Sequence, residues 1–159
     1  MKSYMDIWLS ASARTRKLLD ILEWIILIGI GLLIPEPEIS SSFFIRVMGI
    51  ILILIGFWLH KLSHSTHIQA HQPKEKIKKL VTNGIYSQIR HPCYLEVILY
   101  YFGLFLLIGS LSMLIPISFF IFILYDSIIK EEKFLEKRFG KEYEDYVKRV
   151  PWRFIPKVF

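Results

Sequence analysis

The sequence predicts an all-α fold: a polytopic integral membrane helical bundle of about four transmembrane helices, followed by a C-terminal amphipathic cytoplasmic helix. Of the 159 residues, 53% are hydrophobic, and they occur in long blocks rather than in alternation, which is typical of membrane proteins. Basic residues flank these blocks, and the C-terminal part repeats apolar residues at helical spacing. At this length we expect a single domain over residues 1–159.

The four apolar blocks are the candidate spans, at about residues 18–34, 43–62, 94–108 and 111–129. The hydrocarbon core of a bilayer is crossed by about 20 apolar residues, with a lower limit of about 17. The second block is long enough, and the third is slightly short. Backbone groups cannot stay unpaired in lipid, so we predict helices. Only Gly109 and Ser110 separate the third block from the fourth, which predicts a tight helical hairpin.

The segments between the blocks differ in charge, and this predicts the orientation. Residues 60–93 contain six basic residues against Glu75, and the tail from Lys130 onward contains nine. The loop PEPEISSS contains two acidic residues and no basic one. The positive-inside rule then places both termini, the long connector and the tail in the cytoplasm. A basic cluster directly before the first block favours a retained span over a signal peptide. A prokaryotic plasma membrane is the simplest location.

Composition also excludes some classes of protein and site. The formal charge is +6, but the basic residues flank apolar blocks rather than forming a stripe, so we expect no nucleic-acid partner. Cys93 is the only cysteine, which excludes an internal disulfide and a thiolate metal cage. Gly29 and Gly31 hint at a dinucleotide fingerprint but lack its third glycine. We expect them to allow close helix packing.

The tail predicts a separate amphipathic element. Gly140 interrupts it and predicts a break between two short helices, which Pro151 and Pro156 then end. We expect this element either to lie on the membrane surface or to fold back over the mouth of the bundle. Its apolar stripe has spacings of four, four, three and four residues: Leu135, Phe139, Tyr143, Tyr146 and Val150.

Four histidines run from the end of the second block into the connector, and they fall on one helical face if the connector stays helical: His60, His64, His67 and His71. Histidines at i and i+4 can bind a transition metal. Glu75, the one carboxylate of the connector, comes after the last histidine. No carboxylate therefore lies between Lys61 and Lys74 to complete a metal-ligand shell. We therefore interpret the series as the polar face of a cytoplasmic helix extension and assign no metal ligand.

Ionisable residues inside apolar blocks are costly and usually face the bundle interior or the interface. Glu23 and Arg46 could extend from span ends towards the interface. Glu96 lies two residues inside the third span, which favours a role in a binding site. Glu96 and Arg46 are the possible contacts of a bound acceptor molecule. Asp126 lies in the fourth block.

The hairpin also brings two charged pairs together. Because its helices are antiparallel and its tip is short, Arg90 and His91 must lie near Glu131 and Glu132. A cluster of opposite charges backed by apolar helices suits a ligand with a charged head and an apolar partner.

Two stretches carry a family resemblance: KKLVTNGIYSQIRHPCYL before the hairpin, and EEKFLEKRFGKEYEDYVKRVPWRFIP after it. Together they closely resemble the isoprenylcysteine carboxyl methyltransferase family, integral membrane methyltransferases related to phospholipid and small-thiol methyltransferases. The resemblance covers about residues 78–156. It implies that S-adenosylmethionine is the methyl donor, with S-adenosylhomocysteine as product, bound at the cytoplasmic membrane face by residues 71–94 and 130–156. The resemblance and the charge pairing give this set of candidate cofactor-binding residues: Gln72, Lys78, Lys79, Leu80, Val81, Tyr86, Arg90, His91, Pro92, Cys93, Tyr94, Glu131 and Glu132.

The chemistry of these residues agrees with that implication. Glu131 can pair with the ammonium or the ribose hydroxyls of S-adenosylmethionine, and Arg90, His91 and backbone N–H groups near a helix start can hold its carboxylate. Tyr86 and Tyr94 offer ring faces for the adenine or the sulfonium. A carboxylate acceptor is already ionised at pH 7, so no general base is needed.

Two positions depart from the family pattern. Ser127 stands four residues before Glu131, where prenylcysteine methyltransferases have an arginine that contacts the substrate carboxylate, and Glu96 replaces a glycine. Arg46 or Lys130 could replace the arginine.

An isoprenylcysteine-type carboxyl O-methyltransferase acting on a lipophilic or prenylated acceptor is the leading hypothesis. A phospholipid amine N-methyltransferase or small-thiol S-methyltransferase is the second, since an added acid favours a cationic or neutral acceptor. A non-catalytic membrane binding or assembly protein is the third, disfavoured because Tyr86, His91, Tyr94 and Glu131 are present. The oligomeric state stays open.

Overall fold

The structure, a computed structural model, describes residues 13–34, 42–66 and 78–157, and these residues form helices and turns without a strand. The predicted all-α class is therefore confirmed for the described residues. Short 3-10 turns at Gly84–Ser87 and Leu111–Met113 connect some of the helices. The helices in chain order are α1 (Ala13–Leu33), α2 (Phe43–Thr66), α3 (Pro92–Ile108), α4 (Leu114–Phe139) and α5 (Lys141–Arg149).

Two helical stretches, Phe43–Thr66 and Leu111–Phe139, are long and apolar enough to cross a membrane. Two more apolar helices, Ile21–Leu33 and Pro92–Ile108, are shorter. Large apolar side chains such as Leu54, Phe119 and Phe122 remain exposed, as expected for helices that face lipid. These features support a membrane protein, and the number of four spans remains a prediction.

Glycines allow α2 and α3 to pack closely. A Cβ at Gly49 would lie 2.7 Å from the carbonyl oxygen of Gly103, and one at Gly56 would lie 2.6 Å from the Tyr100 ring. Small residues of this kind let two membrane helices approach along their backbones. The packing is antiparallel, since later residues of α2 meet earlier residues of α3.

The predicted packing role of the two glycines in α1 is confirmed for Gly31 and stays a prediction for Gly29. A Cβ at Gly31 would lie 2.7 Å from Met113 Sδ, whereas a Cβ at Gly29 would meet no atom of the described residues within 4 Å. In the same helix Glu23 accepts a hydrogen bond of 2.5 Å from the Tyr101 hydroxyl. Glu23 therefore faces the bundle rather than extending from a span end. The bundle core consists of Leu27, Tyr101, Met113, Ile117, Phe120 and Leu124.

The predicted hairpin joins α3 to α4. Gly109 ends α3 with a φ of 82°, a left-handed conformation that glycine adopts without a Cβ penalty. From this tip, α3 runs back 16 residues from Ile108 to Pro92, and α4 reaches Glu131 17 residues after Leu114. At about 1.5 Å per residue the two paths have similar lengths, so the start of α3 and Glu131 lie at the same end. We call this the charged end.

The tail folds back over the charged end, which confirms one of the two predicted alternatives. α4 continues past the apolar block to Phe139, and Gly140, with a φ of 51°, breaks it from α5. Residues of the predicted stripe then pack onto the connector. This cluster contains Leu80, Tyr143, Tyr146 and Val150, with Leu135, Phe139 and Val147 packed against it.

Candidate functional site

Glu132 is the centre of a charged cluster at the charged end. Its Oε1 accepts hydrogen bonds from Arg90 Nη2 at 2.8 Å and from His91 Nε2 at 3.0 Å. Its Oε2 accepts one from Arg153 Nη2 at 2.7 Å. Both carboxylate oxygens are thus engaged by three side chains, two from the connector and one from the tail.

The backbone of the connector is bound to the tail at the same place. The backbone N–H groups of Arg90 and His91 donate to the carbonyl oxygens of Trp152 and Arg153, at 2.9 and 3.0 Å. Arg90 Nη1 also donates to the carbonyl oxygen of Val150 at 2.9 Å. The groups that we expected to hold a ligand carboxylate therefore already have partners within the chain.

The charge of Glu132 is fixed by these contacts. It lies on the charged part of α4, beyond the apolar span. Burial would raise the pKa of its carboxyl, but hydrogen bonds from His91, Arg153 and Arg90 outweigh burial and hold that pKa far below its ordinary value. Glu132 is therefore ionised at neutral pH, and its carboxylate holds the connector, α4 and the tail together.

Glu131 has a different environment from its neighbour. Successive residues of a helix point about 100° apart, so Glu131 faces away from the cluster around Glu132. The hydroxyl of Tyr94 donates to Glu131 Oε2 at 2.6 Å. Tyr94 itself packs edge-to-face on the His91 ring, with 5.6 Å between ring centroids. A residue at the start of α3 thus orients the Glu131 carboxylate.

A cleft lies between the connector, the charged part of α4 and α5. Seven predicted cofactor residues line it, and three other residues complete its wall: Leu135, Tyr143 and Tyr146. These three lie in the predicted cofactor region 130–156 and in the apolar stripe of the tail, but the sequence did not single them out as site residues. The seven predicted residues are Lys79, Leu80, Val81, Tyr86, Arg90, His91 and Glu131.

The other predicted residues are distributed around the cleft or away from it. Pro92, Cys93, Tyr94 and Glu132 lie at the charged end but are not part of the lining. Lys78 is exposed to solvent. Gln72 lies outside the described residues, as do His67 and His71.

Buried tyrosines form the back of the cleft. The Tyr86 hydroxyl is hydrogen-bonded to Cys93 Sγ at 3.2 Å, and the Tyr146 hydroxyl donates to the backbone oxygen of Tyr86 at 2.8 Å. Burial raises the pKa of Tyr86, Tyr143 and Tyr146 above the ordinary value. These phenols therefore stay neutral at physiological pH, and their rings form an uncharged wall opposite Glu131.

The two predicted acceptor contacts, Glu96 and Arg46, lie far apart in the structure. Glu96 lies in the first turns of α3, with its Oε1 2.9 Å from His60 Nδ1. Arg46 lies near the start of α2, 14 residues before His60, or about 21 Å along the helix axis at 1.5 Å per residue. Because α2 and α3 are antiparallel, Arg46 is at the opposite end from the cleft. The geometry does not support Arg46 as an acceptor contact there.

Ser127 occupies the position at which prenylcysteine methyltransferases have an arginine, and Lys130 was one of its predicted substitutes. Ser127 is 1% exposed, and its hydroxyl donates to the carbonyl oxygen of Ile123 at 2.9 Å. Lys130 Nζ lies 2.9 Å from Asp126 Oδ2, in a partly exposed ion pair. The position of the arginine therefore carries no cation, and the neighbouring lysine is paired.

The chain is similar to proteins that are named methyltransferases. A model of the family described as "Phospholipid methyltransferase" matches residues 44–142. A rice protein (Oryza sativa subsp. indica) named probable protein-S-isoprenylcysteine O-methyltransferase is 29% identical over 122 residues, which cover 72% of this chain and 63% of the relative.

Two further relatives are named protein-S-isoprenylcysteine O-methyltransferase. The protein of Saccharomyces cerevisiae is 35% identical over 114 residues, covering 65% of this chain and 46% of the relative. The protein of Xenopus laevis is 30% identical over 122 residues, covering 72% of this chain and 42% of the relative.

The chain spans less than two thirds of the length of these relatives. The matched region runs from the start of α2 to the start of α5 and includes the hairpin, Glu131 and most of the cleft. The resemblance identified in the sequence is thereby confirmed. Since the family model matches more than half of its residues, this chain belongs to the phospholipid methyltransferase family.

Proposed function

We propose that this chain transfers a methyl group from S-adenosylmethionine to a lipophilic acceptor at the cytoplasmic face of a membrane. The observation that carries this proposal is the cleft at the charged end, where Glu131, buried tyrosines and apolar side chains converge. The names of the relatives supply the reaction class. An isoprenylcysteine-type carboxyl group is the leading acceptor, which makes the chain a carboxyl O-methyltransferase.

The donor groups of the cleft fit S-adenosylmethionine. Glu131 would hold its ammonium group or its ribose hydroxyls, as the sequence already predicted. Because Glu132 and tail carbonyls engage the side chains and backbone of Arg90 and His91, Lys79 is the better candidate for the ligand carboxylate. Tyr86, with apolar neighbours such as Leu80, provides a wall for the adenine.

Methyl transfer to a carboxylate requires mainly that the protein position the donor and the acceptor. When bound, the cofactor supplies an activated methyl group on a sulfonium. A carboxylate acceptor is ionised at neutral pH and needs no base. The protein must align donor and acceptor and keep water away. The buried, neutral tyrosines and the tail that covers the cleft suit both tasks.

The proposal includes a topology of four spans formed by α1, α2, α3 and the apolar part of α4, in one domain over residues 1–159. The tail at the charged end contains nine basic residues, so the positive-inside rule places this end and both termini in the cytoplasm. An acceptor with a lipid tail would then enter from the bilayer beside α3 and α4. A prokaryotic cell membrane remains the predicted location.

An amine phospholipid is the second candidate acceptor, and a small thiol belongs with it. The observation that favours them is Ser127 itself, a buried neutral residue that carries no charge with which to clamp a carboxylate. A non-catalytic binding or assembly protein is the alternative from another class.

Isothermal titration with S-adenosylmethionine, using purified protein in detergent, tests the proposal. We expect saturable binding, and we expect Glu131→Gln to weaken it by about tenfold or more, because an ionic hydrogen bond contributes about 1.5–3 kcal/mol. Glu136→Gln is the matched control, since Glu136 is an exposed carboxylate on the same helix. No binding by the wild-type protein would contradict the enzyme proposal and leave the non-catalytic alternative.

Methyl transfer from labelled cofactor then identifies the acceptor. The panel comprises a prenylcysteine analogue, phosphatidylethanolamine and a small thiol. We expect base-labile label on the prenylcysteine carboxyl. Label on the amine lipid or the thiol alone would show that the second candidate is correct.

A further inference from the structure

A second group of ionisable side chains lies outside the cleft, between α2 and α3. His60 and His64 are one helical turn apart on α2, and their ring centroids are 4.1 Å apart. Glu96 on α3 places its Oε1 2.9 Å from His60 Nδ1. One ligand atom from each of the three residues lies within 4.8 Å of the other two. Two imidazoles and a carboxylate therefore converge on one point.

Glu96 shows that this group is not fully satisfied by its protein contacts. The residue is 6% exposed, and its Oε2 has no hydrogen-bond partner among the described residues. A buried polar atom without a partner destabilises the folded state, and a charged one does so more strongly. A cation between Glu96 and the histidines would engage the carboxylate and remove that cost.

We propose that His60, His64 and Glu96 bind a divalent transition-metal ion, with Zn²⁺ as the best match. Two histidines and one carboxylate are a known Zn²⁺ ligand set that leaves a fourth position for water. Mg²⁺ and Ca²⁺ prefer oxygen ligands, and Cu⁺ prefers sulfur. The side chain of His60 is 45% exposed, so the ion can enter from the aqueous side and keep a water ligand.

The geometry needs only small adjustments. Bonds of about 2.0–2.1 Å in a tetrahedral shell separate ligand atoms by about 3.3 Å. The 2.9 Å contact between His60 and Glu96 must open slightly, and the other ligand atoms, at most 4.8 Å apart, must move closer. Rotation of side chains at the ends of two packed helices supplies movements of this size.

The group was hidden in the sequence because its carboxylate is distant along the chain. The histidine series was not assigned as a metal site because no acid lies near it in the sequence. The antiparallel packing of α2 on α3 places Glu96 beside His60. The tight contacts of Gly49 with Gly103 and of Gly56 with Tyr100 fix that register.

The proposed metal site is independent of the proposed function. None of His60, His64 and Glu96 lines the cleft. A bound ion would cross-link α2 to α3 near the start of α3, and so raise thermal stability whether or not the chain binds S-adenosylmethionine.

Cobalt titration tests the metal site directly. Tag-free protein in detergent is stripped with a chelator, and Co²⁺ is added while visible absorption is recorded. We expect the intense d–d bands of tetrahedral Co²⁺ with one ion per chain, bleached by Zn²⁺. Glu96→Gln and His64→Ala are expected to weaken binding by about tenfold or more, as ligand or outer-shell changes do.

The double variant His67→Ala/His71→Ala is the matched control. It removes two imidazoles from the same histidine series, one more than His64→Ala removes, and is expected to retain the bands. The proposal is overturned if the wild-type protein gives no bands, or if the control loses them while Glu96→Gln keeps them. The wild-type titration needs no substitution, so it decides the question even if a variant fails to fold.

Discussion

Arg90 and Glu132 form a partly buried ion pair across the charged end, with 2.8 Å between Nη2 and Oε1, although they are 42 positions apart in the chain. Their side chains are 7% and 15% exposed. The pair connects the residue that precedes α3 by two positions with the charged part of α4. His91 and Arg153 share the same carboxylate, so four residues depend on one another.

Replacing Glu132 by Gln is expected to destabilise the fold by about 3 kcal/mol. The substitution leaves the buried Arg90 guanidinium without its anion, and breaking such a pair costs about 3–5 kcal/mol. Unfolding in a denaturing detergent titration measures the change. Asp145→Asn is the control, because Asp145 and Lys148 form an exposed pair worth at most about 1 kcal/mol. Equal losses in the two variants would contradict the central role of Glu132.

Stability is expected to fall on acidification in a way that depends on Glu132. Its pKa is lower in the folded protein than the ordinary 4.5 of a glutamic acid. The stabilisation is therefore fully present above about pH 4.5 and decreases as the pH falls towards the lowered folded pKa. Denaturation curves at several pH values should show a smaller acid-induced loss in Glu132→Gln than in the wild type. Parallel curves would argue against this assignment.

Tyr94→Phe is expected to weaken S-adenosylmethionine binding by about tenfold. The variant keeps the ring packed on His91 but removes the 2.6 Å hydrogen bond to Glu131, and a bond to a charged group contributes about 1.5–3 kcal/mol. Titration calorimetry provides the measurement. Tyr125→Phe serves as control, since Tyr125 is 44% exposed and contacts Arg153 rather than Glu131. An unchanged affinity in Tyr94→Phe would mean that Glu131 does not depend on Tyr94.

Two glycine substitutions should have opposite consequences. A Cβ at Gly49 would lie 2.7 Å from a backbone oxygen of α3, so Gly49→Ala is expected to cost about 1–3 kcal/mol, as overpacking does. A Cβ at Gly29 meets no atom of the described residues within 4 Å, so Gly29→Ala should be neutral or stabilise by up to about 1 kcal/mol through helix propensity. Detergent unfolding compares the two variants. A neutral Gly49→Ala would contradict the close packing of α2 on α3.

The sequence predicted those structural features that residues close together in the chain determine. The apolar blocks predicted the helices, and Gly140 predicted the break between α4 and α5. The short link between α3 and α4 predicted the proximity of Arg90 and His91 to Glu131 and Glu132. In each case covalent connection or helical periodicity restricts the geometry.

Contacts between distant segments were not predictable in the same way. The sequence did not show that tail carbonyls bind the backbone of Arg90 and His91, because backbone partners carry no residue signature. It also gave no sign that Glu96 would meet His60, since the register of α2 on α3 depends on which glycines come into contact. Both contacts depend on how segments that are distant along the chain pack together, and no local sequence pattern specifies that packing.

The hydrogen bonds from the backbone of Arg90 and His91 to Trp152 and Arg153 have a consequence for biogenesis. In the proposed topology, the apolar helices enter the bilayer one after another during translation. The wall of the cleft, however, cannot close until residues 150–153 have left the ribosome and folded back. Assembly of the site is therefore a late, post-insertion event, and a stalled or shortened chain would reach the membrane without it.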